Sequence, residues 1–185
     1  MSLFGDGLEA AVQKAFTRPA PKTAPAQMRY LVKQLKSTGA VAQMLRVSQR
    51  TVERYVKNQI KKPRPDLAAR LEREVARRWQ PQVRARARQR AATTGGIVID
   101  TRARIGYTAP VGTTDDARLR HLTVALPPQY AARLFDAQQA GAGDQQLQQI
   151  AAEGLKEMYF QDGGRRAGSL EEIRFTDIEH IEFDL

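Results

Sequence analysis

The chain has 185 residues with 30 Lys+Arg against 20 Asp+Glu, a net charge of +10, so its natural partner is a polyanion. It has no cysteine, which excludes disulfides, zinc fingers and thiol catalysis, and its two histidines, His121 and His180, lie far apart in sequence without metal-ligand spacing. No apolar run approaches the ~20 residues that cross a bilayer and no signal-peptide pattern opens the chain, so the expected setting is the cytoplasm, on the nucleoid, with no membrane contact.

In chain order, residues 1–16 carry Leu3, Phe4, Leu8, Val12 and Phe16 at near-helical spacing, an amphipathic helix that either docks on the body or pairs with a partner. Residues 17–25 hold three prolines and read as a linker. A helix over 26–36 places Met28, Leu31, Val32 and Leu35 on one face. Two short helices follow, over 39–45 and 49–57. Their apolar positions Val41, Leu45, Val47, Val52 and Tyr55, with small Ala42 at a close crossing, make a helix-turn-helix.

The turn runs through Arg46, Val47 and Ser48. Ser48 is suited to cap the second helix, whereas Arg46 stands where a tight turn with positive φ usually has Gly or Asn. The second helix turns Gln49, Arg50, Thr51, Arg54 and Lys57 outward. Gln49, Arg50 and Arg54 are candidates for base edges, through Gln–adenine or Arg–guanine pairing. Lys57, Lys61, Lys62 and Arg64 are candidates for phosphates, which give affinity and position without sequence.

After the breaker at 61–65, Asp66 is expected to cap a helix through Trp79, with Leu67, Leu71 and Val75 closing the core. Trp79 continues that apolar stripe, which favours a core role over base stacking. Pro81 interrupts the helix. Arg84, Arg86, Arg88 and Arg90 then alternate; they suit either further phosphate contacts or a solvated surface.

At Thr93 the character changes. A β-branched run from Ile97 and an alternating run over 118–126 predict a hairpin, with a polar loop over 109–117 between them. Two helices follow, one opened by Pro127-Pro128 and one expected to be capped by Asp144. The acidic segment 173–185 reads as an edge strand beside the basic hairpin. Charge divides in the same way: residues 1–90 hold 21 Lys+Arg and 6 Asp+Glu, residues 91–185 hold 9 and 14. The expected architecture is α+β: an amphipathic segment and linker (1–24), a helix-turn-helix domain with a basic helical extension (25–92), and a small α+β domain of a hairpin and two helices (93–185). No Ser-His-Asp spacing, phosphate-binding Gly-rich loop or metal cluster marks a self-sufficient enzyme. In the loop, Thr113, Thr114, Asp115 and Asp116 have a plain explanation as turn formers and caps.

The start MSLFGDGLEAAVQKAFTR, the region VAQMLRVSQRTVERYVKNQIKKPRPDLAARLE, the region GGIVIDTRARIGYTAPVGTTDDARLRHLTVALPP and the end IEFDL together resemble the telomere-protecting terminal proteins of linear bacterial chromosomes and plasmids. The resemblance covers essentially the whole chain. It implies a protein primer, not an enzyme. A threonine hydroxyl accepts the first deoxynucleotide, synthesis patches the DNA end, and the protein stays covalently joined to the 5′ end. Carried onto the GTTDD loop, the acceptor is Thr114, with Thr113 second, and Asp115 and Asp116 orient it or serve the turn. The resemblance also implies telomeric DNA, a telomere-binding partner protein and a DNA polymerase as partners. It implies no intrinsic cofactor, the divalent metal, Mg2+, being supplied by the polymerase. Homodimerisation is a further expected association. The alternative reading is a reversible helix-turn-helix regulator whose C-terminal domain dimerises.

Overall fold

The computed structural model describes residues 2–108, 114–162 and 172–185, with the backbone alone for Thr108 and 114–116. The architecture is α+β. Six helices, α1 (Leu3–Lys14), α2 (Ala24–Leu35), α3 (Thr38–Leu45), α4 (Gln49–Val56), α5 (Pro65–Arg78) and α6 (Pro81–Arg90), precede two strands, β1 (Ile97–Thr108) and β2 (Thr114–Leu126). Helices α7 (Pro128–Gln139) and α8 (Asp144–Leu155) follow, then β3 (Glu172–Asp184). None of the described helices is long and apolar enough to cross a membrane.

The chain forms two compact units, Thr17–Pro81 and Met1–Phe16 with Gln82–Leu185. This division differs from the sequence boundaries at both ends of the helix-turn-helix domain. The leading helix and the basic segment after Pro81 belong to the sheet unit, because long-range contacts hold them there.

The helical unit is α2–α5 around Met28, Leu31, Val41, Leu45, Val52, Tyr55, Leu67, Leu71 and Val75, all buried. Helix α5 starts on Pro65, whose fixed φ suits the first helical position and which has no N–H to satisfy. Asp66 therefore does not cap it as expected; it sits in the first turn, where its charge meets the positive end of the helix dipole. Trp79 ends the helix half-buried. Its ring meets Tyr30 edge-on at 4.9 Å and its indole N–H donates to the Arg18 carbonyl at 3.0 Å, a packing role.

In the sheet unit, strand order is β2-β1-β3, antiparallel throughout, with β3 the acidic edge strand that the alternation predicts. The period of two puts Ile97, Ile99, Ala103, Ile105, Leu122, Leu126, Ile173, Phe175, Ile181 and Phe183 on one face, packed with α1, α7 and α8. Helix α1 docks on this core through Phe4, Leu8, Ala11 and Val12. Gly7 lets it approach closely: a Cβ there would lie 3.0 Å from the Phe183 ring. Gly96 is required more strictly, since at φ 72° a Cβ would stand 2.2 Å from the Leu126 carbonyl oxygen.

Asp144 does not cap α8, whose N-cap is Gly143. Its carboxylate accepts from the Ser2 hydroxyl and from the backbone N–H groups of Leu3, Phe4 and Gly5, and so caps the start of α1. Three orphan amides at one helix end outcompete its own helix for the negative charge.

Candidate nucleic-acid interface

The turn between α3 and α4 is built as the sequence anticipates, including its difficulty. Arg46 adopts φ 53°, ψ 49°, and the amides of Arg46 and Val47 donate to the carbonyls of Gln43 (3.1 Å) and Ala42 (2.9 Å). This paired closure satisfies the last carbonyls of α3, at the expense of a left-handed non-glycine residue. Ser48 then caps α4, its hydroxyl accepting from the Thr51 N–H at 3.2 Å. Thr51 closes the same cap through its own hydroxyl, 2.8 Å from that of Ser48, and is half-buried. Thr51, expected to face outward with Gln49, Arg50, Arg54 and Lys57, is half-buried like Glu53, and its hydroxyl is engaged in the cap.

The outward surface of α4 consists of two adjacent rows, with the residues of each row one turn apart. Gln49, Glu53 and Lys57 form one row, Arg50 and Arg54 the other. Gln49, Arg50, Arg54 and Lys57 are exposed, and Glu53 is half-buried between them. The Gln49 amide donates to Thr38 Oγ1 and to Glu53 Oε1, both at 3.1 Å, so it is held on the surface and does not swing freely. Glu53 is absent from the sequence-based candidates. The signal that finds it is its spacing, four residues after Gln49 and four before Lys57.

The far end of α4 is closed just as firmly. Asn58 at φ 60° and Gln59 donate to the carbonyls of Tyr55 (3.0 Å) and Arg54 (2.8 Å), and the Arg29 guanidinium donates to the Val56 carbonyl at 3.2 Å. Beyond it Lys61, Lys62 and Arg64 are exposed, and the Tyr55 hydroxyl donates to the Lys62 carbonyl at 3.4 Å, tying this basic segment to the core. The helical unit carries 16 Lys+Arg against 4 Asp+Glu, a net of +12, while the rest of the chain carries 14 against 16. The positive charge is therefore concentrated on the unit that holds the helix-turn-helix.

The arginines after Pro81 do not form one ladder. Helix α6 buries Arg84, whose guanidinium grips the Glu9 carboxylate of α1 with both terminal nitrogens, one at 2.6 Å. Arg88, one turn on, lies 3.6 Å from the same carboxylate and over the Phe135 ring at 5.7 Å. Burial, then the adjacent Arg84 charge, lowers the Arg88 pKa against the pull of Glu9. Arg84 and Arg88 are therefore fold residues and not phosphate contacts. Arg86 and Arg90 remain exposed.

Of the nucleotide-acceptor candidates, Thr113 lies outside the described residues. Thr114, Asp115 and Asp116 are described by their backbone, with Thr114 opposite Thr108 and Asp115 opposite Tyr107. Thr114 begins β2 at the hairpin end away from Gly96 and Leu126, about 40 Å along the strand at ~3.3 Å per residue. Glu172 pairs Thr108 from the other side, so Thr114, Thr108 and Glu172 form the last row of the sheet.

The two histidines, distant in sequence, meet on the open face of the sheet. Register sets His121 and His180 on either side of Arg102, and their Nε2 atoms lie 3.2 and 3.6 Å from the Asp100 carboxylate. A hydrogen bond from Thr123, then one from His121, holds the Asp100 carboxyl below the ordinary carboxylate range. Among the described residues no three His, Asp or Glu side chains are grouped to hold a metal ion. Compared with protein-family models, with curated proteins and with solved structures, the chain matches none.

Proposed function

We propose that this chain is a terminal protein of linear DNA, which docks on DNA through α4 and primes end-patching synthesis from Thr114. The observation that carries the docking half is the outward face of α4, a helix closed at both ends and set on a unit with a net charge of +12. Capped at both ends, the helix presents Arg50, Arg54 and Lys57 on its exposed face, and Lys61, Lys62 and Arg64 extend the positive surface toward phosphates.

The priming half rests on the resemblance of the GTTDD region, and the topology supports it. A primer must enter a polymerase active site, which suits a residue at the far end of a long hairpin better than one in a core. In the proposed step the Thr114 hydroxyl oxygen attacks the α-phosphorus of a deoxynucleoside triphosphate. A Thr Oγ–phosphorus bond forms, the α–β phosphoanhydride bond breaks, pyrophosphate leaves with the electron pair, and the hydroxyl proton passes to a base of the polymerase. Divalent metal held by that polymerase supplies charge neutralisation at the phosphates. The attached nucleotide's 3′-OH is then extended.

The test incubates the protein with labelled deoxynucleotides, telomeric template, divalent metal and a polymerase extract, then denatures and looks for label on protein. Label that survives SDS and heat in the wild type and is absent from Thr114→Ala supports priming. Loss confined to Thr113→Ala moves the attachment by one residue. Tight, reversible duplex binding without any labelling favours a helix-turn-helix regulator instead.

A further inference from the structure

We infer that Glu53 is the specificity-determining residue of α4 and that it selects a cytosine in the major groove, an inference that rests on the DNA-docking half of the proposed function. Between Thr17 and Pro65 the chain has twelve Lys+Arg and one acidic residue, Glu53. That single carboxylate stands in the middle of the outward surface of α4, in one row with Gln49 and Lys57 and beside Arg50 and Arg54. On a surface that approaches phosphates, a carboxylate repels every sequence alike and lowers general affinity. A contact that one base offers and the others do not offsets that repulsion on one sequence alone.

Glu53 is free to make that contact. Its Oε1 accepts from the Gln49 amide at 3.1 Å, and the exposed Arg50, Arg54 and Lys57 flank it. Gln49 is itself anchored to Thr38 on α3. One amide proton of Gln49 is thus fixed on Thr38 and the other aims the carboxylate, which makes Gln49 a positioning residue for Glu53 instead of the adenine reader its type suggests.

An ionised carboxylate only accepts hydrogen bonds. In the major groove the base donors are the cytosine N4 and adenine N6 amino groups. The adenine donor adjoins the N7 acceptor, which repels a carboxylate; the cytosine amino group has no such acceptor on its own base. Arg50 and Arg54, on the adjacent row, are placed to reach the guanines and phosphates around that cytosine.

The test selects binding sites from a pool of randomised 20-bp duplexes with the full-length chain, as wild type, Glu53→Gln and Gln49→Ala. Glu53 lies on the surface of α4, and equal melting temperatures verify that the variants fold. Wild type is expected to require cytosine at one position, with substitution there weakening binding roughly 5- to 150-fold. Glu53→Gln should lose that preference alone, gain affinity for random duplex and steepen its salt dependence; Gln49→Ala should weaken the same preference without creating another. Identical base preferences in wild type and Glu53→Gln overturn the inference while leaving DNA docking intact. A wild type that retains duplex without enriching any sequence does the same. A wild type that retains no duplex overturns the docking reading itself.

Discussion

The Ser2 hydroxyl donates to Asp144 Oδ1 at 2.6 Å, across 142 residues of sequence. Around this bond the Asp144 carboxylate also accepts from the amides of Leu3, Phe4 and Gly5, while Ser2 caps Gly5 in the ordinary way. Helix α1 is thereby fixed at its first turn to the first turn of α8, and its apolar face is aligned on the sheet. Partial burial, the largest single influence, disfavours the charged carboxylate. The bonds from Ser2, Leu3, Gly5 and Phe4 together outweigh it and hold the Asp144 pKa below its ordinary value.

Asp144→Ala should therefore destabilise the sheet unit by about 1–3 kcal/mol, the range for losing charge-assisted hydrogen bonds at a helix end. Because the folded pKa is depressed, the contribution is fully present above the unfolded value near ~3.9 and disappears as pH falls through the folded value. Thermal melts of the two proteins should differ at neutral pH and converge in strong acid. Equal melting temperatures at pH 7 would show that the Asp144 cap contributes nothing to holding α1.

Arg84 and Glu9 give a second prediction. Their pair is largely withdrawn from water, with side-chain exposures of 8% and 26%. Removing one partner strands the other charge, at a cost of 3–5 kcal/mol when burial is complete and about 2–3 kcal/mol at this exposure. Glu9→Gln leaves Arg84 and Arg88 facing each other without their shared counter-charge and should lower the melting temperature. Replacing Glu9 and Arg84 together with Gln and Met should recover part of the loss. If Arg84 instead served DNA, Arg84→Met would weaken duplex binding with little effect on melting.

These two relationships mark the limit of what the sequence makes legible. The helix-turn-helix is local: Val41, Ala42, Leu45, Val52 and Tyr55 lie within fifteen residues, and periodicity alone places them in one core. The alternating runs likewise identify β1, β2 and the acidic β3, because a period of two is written in the residues themselves. Asp144, by contrast, is a good capping residue at the head of a helix, and nothing near it tells that its charge serves a different helix. The arginines at 84–90 alternate in sequence, yet on a helix Arg84 and Arg88 share one face. Only the position of Glu9 on α1 reveals that this face is internal. Glu53 was hidden for a different reason: a search for positive donors passes over the carboxylate that lies between them.

Arg46 carries a cost that can be relieved. A left-handed conformation costs a non-glycine residue roughly 1–2 kcal/mol, and its φ of 53° is required by the closure of α3. Arg46→Gly removes that strain but loosens the unfolded chain, which offsets about 0.4–1 kcal/mol. The net expectation is a gain of up to ~1 kcal/mol in the helical unit, seen as a raised denaturation midpoint. Arg46→Val should destabilise, because β-branching worsens the left-handed strain. A loss of stability in the glycine variant would mean that the Arg46 side chain contributes more than its backbone costs.

The exposed cations after α4 should separate affinity from sequence reading. If Lys57, Lys61, Lys62 and Arg64 meet phosphates, each replacement by Ala removes one neutralised phosphate, and the slope of log K against log salt should fall by roughly 0.9 per contact. That loss should be the same on every duplex. Arg50→Ala or Arg54→Ala, if these reach base edges, should cost about 1–3 kcal/mol on the selected site and much less on random duplex. Arg84→Met, measured at a temperature where the fold persists, should leave the salt slope unchanged. The decisive comparison is Lys62→Ala against Arg50→Ala on selected and random duplexes. Lys62 is anchored through its carbonyl by Tyr55, so its replacement alters charge while leaving the chain path in place. Equal losses for both variants on both duplexes would mean that α4 contacts backbone only, and that sequence is read elsewhere.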